Sequence, residues 1–311
     1  MSNTSLQNSL FTQIPGRNIH LSDNTEVPVC TPEFRKSNGS YLKKRGLHLL
    51  NKFLRKGCFE TVGSPWLPGF WVMKEHEALA LASESGLRAN SLNLVITSEP
   101  MHAAHWCSFR GEPLMVIENR WKSFDEYGGA MKKKYRQRLK KAMELDAQLE
   151  KRWLDESYHE ACATLLEQTL MDKVVVLPQD LTALLGKFKS MFGADFQVEG
   201  FFKNGELMAF ISTIKNGDTL RAMHYGAAVD APANMYSYAM FSVIQLGIES
   251  GTTKINLGRT ATEIKSTYGA IAEENYFSFY TQSILLKSVL NLAKHRYTPK
   301  TFELRSPFKA V

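Results

Sequence analysis

The run FQVEGFFKNGELMAFISTIKNGDTLRAMHYGAAVD, residues 196–230, decides the fold. Asn204-Gly205 separates two apolar stretches, 196–203 and 207–215, and an Asn-Gly pair readily supplies the two left-handed residues of a tight hairpin turn. Asn216-Gly217-Asp218 repeats the signal and predicts a third strand over 219–229. Upstream, 181–192 has helical spacing. Downstream, Asp230-Ala231-Pro232-Ala233-Asn234 is a loop, 235–250 is a helix closed by Gly251, and 254–257 is a strand. The order is helix, three strands, loop, helix, strand, an α+β arrangement.

Further out, 75–84 and 158–170 carry helical patterns, and Leu92, Leu94 and Ile96 alternate in a strand over 91–97. Strands are also expected at 103–109 and 114–118, with turn chemistry at Arg110-Gly111-Glu112-Pro113. A short helix is expected around 42–54, ended by Gly57, with a loop over 65–69. Residues 1–40 are rich in Ser, Asn, Thr and Pro and read as a flexible arm. A single long helix is expected over 124–153. Ser123 is its N-cap, and Met131, Tyr135, Leu139, Ala142 and Leu145 form one apolar stripe. The chain then divides into an arm (1–40), a small α/β subdomain (41–122), a basic linking helix (123–157), a main domain (158–300) and a tail (301–311).

The net charge of +7 has one source. Residues 132–141, KKKYRQRLKK, hold seven basic side chains and no acid, which equals the whole excess of 38 Lys plus Arg over 31 Asp plus Glu. That excludes a diffusely polycationic chain that coats DNA. Lys133, Lys134, Arg136 and Arg138 are candidate anion-docking residues. Their partner would be an anionic membrane surface, an acyl-carrier protein, or the phosphates of a carrier or tRNA. With 44% hydrophobic and 22% charged residues, the composition is that of an ordinary globular protein. No apolar run approaches the roughly 18 residues of a membrane span, and the first residues lack a secretory pattern, so a cytoplasmic location is expected, peripheral to the inner membrane face if the basic helix meets lipid. Cys30, Cys58, Cys107 and Cys162 form no CxxC pair. His102, His105 and Cys107 lack further ligands at a matching spacing, so no metal is expected.

Three separated segments carry a family resemblance. GRTATEIKSTYGA (258–270) resembles the "GRTAxEIKxxxGA" block of uncharacterised bacterial GNAT-like acyltransferases, KKYRQRLKKA (133–142) their "KYRxRxKKA" segment, and RSPFK (305–309) their "RxPFK" ending. More distantly, IKSTYG (264–269) is similar to the "FKxxFG" element of Fem-type peptidoglycan aminoacyltransferases, tandem GNAT-like folds in which the lysine sits at the transfer centre. The resemblance implies a GNAT-like acyltransferase fold with a partial N-terminal GNAT-like subdomain. It also implies an N-acyltransferase that takes an acyl group from acyl-CoA or an acyl-carrier protein, as co-substrate rather than bound cofactor, and passes it to a small-molecule or lipid amine. Three alternatives stand beside it: Fem-like transfer from aminoacyl-tRNA to a cell-wall precursor, acylation of a lipid amine at the membrane, and a non-catalytic anion- or RNA-binding protein.

Acyl transfer needs a base for the incoming amine, a donor to the tetrahedral oxyanion and an acid for the leaving group. Glu263 and His224 are candidate bases and Lys265 a candidate oxyanion donor. Arg259 and Thr260, with Tyr236 and Tyr238, are candidate substrate-binding residues. Gly226 and Ala227 stand where the acyl-CoA loop of a GNAT enzyme would bind its donor. The paired glycines and basic lead residue of that loop are missing here, and Asp230 would repel a phosphate.

Overall fold

The computed structural model describes residues 16–20, 26–30, 59–62, 72–84, 87–89, 91–170, 181–299 and 301–309. The expected helix around 42–54 and the loop over 65–69 lie outside them. The architecture is mixed α+β, with two sheets in two compact units. The first unit takes residues up to Glu112 together with Glu274–Thr301. The second takes the described residues between Pro113 and Glu273, together with 302–309.

In the first unit, strands β1 (Gly16–His20), β2 (Glu26–Cys30), β3 (Phe59–Val62), β4 (Leu92–Thr97) and β5 (Trp106–Arg110) join a late strand in the order β1-β2-β3-β4-β13-β5. Two of these strands fall inside the expected flexible arm. There Ile19 pairs with Val27 in an antiparallel ladder, which a composition rich in polar residues hides. Helix α1 (Glu75–Glu84) buries Ala78 and Leu81 against Val95 and Trp106.

The second unit begins with β6 (Leu114–Glu118), α2 (Phe124–Ala130), α3 (Lys133–Met143) and β7 (Glu150–Trp153). The expected single helix over 124–153 is therefore broken. Met131 is extended (φ −70°, ψ 146°) and bridges Phe308, far away in sequence, and β7 pairs with a strand of the sheet. Ser123 caps α2, its hydroxyl accepting from the Glu126 amide. Next come α4 (His159–Leu170), α5 (Leu181–Phe192), β8 (Phe196–Lys203), β9 (Glu206–Asn216), β10 (Thr219–Ala227), α6 (Met235–Glu249), β11 (Lys254–Asn256), α7 (Thr262–Ser266) and β12 (Ile271–Glu273). The sheet order is β12-β6-β11-β10-β9-β8-β7. The β8–β9 turn is the predicted one, with Asn204 and Gly205 both at positive φ. The chain ends with β13 (Tyr276–Tyr280), which inserts between β4 and β5 of the first sheet, and α8 (Ile284–Arg296).

Consecutive residues of a strand point to opposite faces, and the end of β10 shows what covers each face of the second sheet. Tyr225 meets Tyr236 of α6 with rings 5.1 Å apart. His224 stacks on Phe188 of α5 at 5.6 Å, and Gly226 faces α4. The α6 side holds the main core: Met115, Ile117, Tyr127, Leu139, Phe201, Ile211, Phe241 and Ile244 are all buried there.

Candidate functional site

The sheet opens at one place. β10 and β11 run parallel, but their register extends only from Thr219↔Lys254 to Arg221↔Asn256. Beyond it, β10 carries three residue steps from Ala222 to Tyr225 where β9 takes two, from Thr213 to Ile211, so β10 holds one extra residue. Such a bulge bends and twists its strand away from a neighbour. β11 instead runs out into Leu257-Gly258-Arg259-Thr260-Ala261. Gly258, Thr260 and Ala261 all take positive φ, at 79°, 62° and 48°. The non-glycine pair costs on the order of 1–2 kcal/mol each in a left-handed conformation, so the surrounding structure must hold it.

What that loop positions is Lys265. The residue is 3% exposed, on α7, and its Nζ donates to the Arg259 carbonyl at 2.5 Å. The same Nζ lies 3.9 Å from where a Cβ on Gly258 would be, and that point is 3.7 Å from the Ala222 carbonyl at the bulge. The opening is therefore bordered by β10 on one side and the Gly258–Ala261 loop on the other, with a buried amine beside it.

Aromatic hydroxyls gather at the same end. Tyr268 donates to the Ser237 hydroxyl at 2.8 Å, and Tyr127 donates to the Tyr268 carbonyl at 2.7 Å. Burial pushes the Tyr268 phenol up to about 12, partly offset by the Ser237 hydrogen bond and the Arg138 guanidinium. Burial likewise raises Tyr225 and Tyr236 well above the usual phenol range, and Tyr268 adds to both shifts. All three stay neutral at physiological pH and keep a proton to donate. Arg138 also ties the basic helix to this end of the sheet: its guanidinium lies 5.7 Å from the Tyr135 ring centre and acts on Tyr268.

The candidates named from sequence separate. Lys265, Arg259 and Thr260 stand together at the opening, and Tyr236 packs on Tyr225 at the end of β10. His224 does not. It points to the opposite face of the sheet, its amide donating to the Ser212 hydroxyl at 3.1 Å, and burial pushes its imidazole down to about 4. Glu263 is exposed and accepts the Glu303 amide at 3.2 Å, so its carboxylate holds the tail. Tyr238 is buried and donates to Asp146 at 2.6 Å, with Lys151 3.3 Å from the same carboxylate. A Cβ at Gly226 would lie within 2.8 Å of the α4 backbone at Leu165 and Leu166, so this glycine exists for a close helix–sheet approach. The Ala227 amide donates to Thr169 at 2.8 Å and the Ala228 amide to the Met208 carbonyl at 2.8 Å. These two amides of the loop are thus committed inside the protein. Lys133 and Lys134 are exposed at the start of α3, and Arg136 is half-buried.

Sequence reasoning missed Tyr225, Ser237 and Tyr268. Tyr268 lies three residues after Lys265 inside the quoted motif, which was signal enough. Tyr225 and Ser237 are drawn in only by the bulge and by the tyrosine they meet. Among the described residues no group of His, Cys, Asp and Glu could hold a metal, and Cys107 and Cys162 are free thiols. No helix among them is long and apolar enough to cross a membrane.

The three motifs converge on the tail. The Arg305 amide donates to the Ser266 hydroxyl at 2.9 Å, the Lys132 amide to the Pro307 carbonyl at 2.8 Å, and the Lys309 amide to the Ala130 carbonyl at 3.2 Å. Phe308 fills the space above Gly269, whose φ is +94°, and packs on Trp121 at 4.8 Å. RSPFK thus ties the GRTA segment to the start of the basic helix.

No family model matches the chain, and no curated protein matches it. Solved structures do. The C-terminal domain (DUF2156) of a proposed lysylphosphatidylglycerol synthetase from Agrobacterium fabrum aligns over 94% of this chain and 96% of its own, with TM-score 0.53 and 13% identity. L-PGS from Bacillus licheniformis aligns over 94% and 97%, with TM-score 0.53 and 12% identity. FemX aligns over 92% and 93%, with TM-score 0.54 and 8% identity. The chain has a GNAT-like, Fem-type fold.

Proposed function

We propose that this protein is a transferase that moves an aminoacyl or acyl group from an activated ester on a polyanionic carrier to an amine or hydroxyl, with the reacting carbonyl at the β10–β11 opening. The observation that carries the reading is Lys265: a buried amine, aimed by the carbonyl of a strained loop, at the strand end where β10 and β11 part. In the proposed reaction the Lys265 ammonium stabilises the tetrahedral oxyanion. Tyr236 or Tyr225 gives its proton to the departing oxygen or sulfur. His224 and Glu263 take no part as bases; the acceptor attacks in its neutral form, and the proton it loses returns to the phenolate that the leaving group's protonation left on the tyrosine.

Two features favour a carrier such as aminoacyl-tRNA over acyl-CoA. The Ala227 and Ala228 amides at the position of the CoA loop are committed to Thr169 and Met208, and seven basic residues lie on or beside a helix whose Arg138 acts on Tyr268. The neighbours' names point the same way, since a lysylphosphatidylglycerol synthetase joins an aminoacyl group to a lipid. Acyl-CoA and an acyl-carrier protein are the competing donors.

A donor panel tests this. Melting temperature is measured with bulk aminoacyl-tRNA, acetyl-CoA, palmitoyl-CoA and a charged acyl-carrier protein. A rise with tRNA alone, lost in about 0.5 M salt where screening is strong, supports the reading. A rise with a CoA ester and none with tRNA overturns the choice of donor, and no rise with any donor removes the support for transfer.

A further inference from the structure

Among the described residues, helix α8 carries three large aliphatic side chains that are more than half exposed. Leu286 and Leu290 are buried, and they fix the helix against Leu92 and Cys107 of the first unit. At 100° per residue, Ile284, Leu285 and Leu292 fall on the opposite side, on a crest they share with the exposed Ser288, Asn291 and His295. The three aliphatic side chains are 84%, 63% and 57% exposed. Three large aliphatic side chains at such exposure on one helix face are not explained by the packing of a soluble unit. Their charged neighbours are all of one sign. α8 contains Lys287, Lys294 and Arg296 and no acidic residue. By the same angles Lys287 and Lys294 flank the aliphatic face on one side and Arg296 on the other.

Exposed aliphatic side chains on the crest, with cations along both flanks, suit a helix lying in a lipid headgroup region, where aliphatic side chains enter the acyl boundary and lysine and arginine stay at the phosphates. We infer that α8 docks the protein on an anionic lipid surface, with Ile284, Leu285 and Leu292 inserted and Lys287, Lys294 and Arg296 at the headgroups. The occupant is set by charge complementarity. A protein partner covering an aliphatic strip would leave the three cations needing matched acids at fixed points, whereas anionic lipids supply mobile charge on every side. The inference is independent of the transfer reading, because docking requires neither donor nor acceptor. It also moves the expected lipid contact from the basic helix α3 to α8.

Sedimentation of the full chain with phosphatidylcholine vesicles, with or without about a third phosphatidylglycerol, is the test. The protein should bind the anionic vesicles, bind the neutral ones far more weakly, and lose affinity with added salt. Ile284→Ser, Leu285→Ser and Leu292→Ser combined should cut binding at least about tenfold, and Lys287→Glu with Lys294→Glu about tenfold or more. These positions are at the surface, and unchanged circular dichroism confirms that the variants fold. Leu285→Trp gives a direct reading: fluorescence quenched by brominated lipid beyond that of the parent protein. Failure of the parent to bind, equal binding to neutral vesicles, or an unaffected triple serine variant overturns the proposal. So does loss of binding through Lys133→Glu and Lys134→Glu with the α8 variants unaffected. A concentration-dependent dimer abolished by the serine substitutions, without vesicle binding, would assign the face to a second copy instead.

Discussion

The Arg259 carbonyl fixes the direction of the Lys265 amine. In the proposed reaction its positive charge serves the developing oxyanion. Lys265→Met keeps the length of the side chain and removes that charge. Transfer measured by labelled aminoacyl group should fall about 10²- to 10³-fold, while the melting temperature changes little in comparison. His224 gives a stability signature. Its folded pKa of about 4 lies below the unfolded value, so the unfolded chain takes up the proton first and stability is lost as the pH falls from about 6.5 towards 4. The loss is up to about 3 kcal/mol. Urea unfolding at pH 7.5 and 4.5 should show a smaller difference for His224→Gln than for the parent, and an equal difference would refute the assignment. At Gly226 even one methyl group meets the α4 backbone, so Gly226→Ala should destabilise by about 2–3 kcal/mol, read as a lower urea midpoint. Of the site, Lys265, Arg259 and Tyr236 were legible in the sequence because the motif and the order of elements brought them to one strand end. The face on which His224 falls was not, because one inserted residue in β10 shifts the alternation.

Elements whose signals are local were read correctly. The Asn204-Gly205 turn and the 196–203 and 181–192 segments match because hairpin chemistry and helical period act over a few residues. The 124–153 region did not, because what breaks it lies far off: Met131 pairs with Phe308, and Glu150–Trp153 with β8. The break leaves Lys133 and Lys134 in the first turn of α3 with no acid in that turn. There the helix dipole already presents positive charge, and each lysine costs on the order of 0.3–1 kcal/mol. An anion at this end relieves that cost. Lys133→Glu with Lys134→Glu should therefore raise the melting temperature of the protein alone, yet weaken tRNA binding and flatten its dependence on salt. Filter binding across a salt series reads the second effect, and undiminished binding would detach α3 from the donor.

At the scale of the molecule, the tail binds the pieces that act together. Phe308 packs on Trp121 and Tyr127, and the tail's backbone is held at Ser266, Glu263, Lys132 and Ala130. Phe308→Ala should cost about 3–4 kcal/mol. It should also raise hydrogen exchange in Gly258–Gly269, since the strained loop loses the support of the residues that follow it. Exchange confined to the tail would mean that the loop stands by itself. The division into units was not legible. The sequence set breaks near 122 and 300, whereas the chain leaves the first unit after Glu112, returns at Glu274 and leaves again after Thr301. Nothing local marks these crossings, because they follow strand pairing between distant segments.

The position of β13 has a consequence for how the protein is made. This strand lies between β4 and β5, pairing Phe277 with Ile96 on one side and with Phe109 on the other. A ribosome delivers β4 and β5 well over a hundred residues before it delivers the strand that separates them. Throughout that interval both carry unpaired edges, and the first unit cannot close even though most of its sequence has left the exit tunnel. The second unit, by contrast, has all its strands once β12 is out. Vectorial synthesis thus completes the sheet of the second unit before that of the first. A chain released before Tyr280 exposes two sticky strand edges to every neighbour on the polysome.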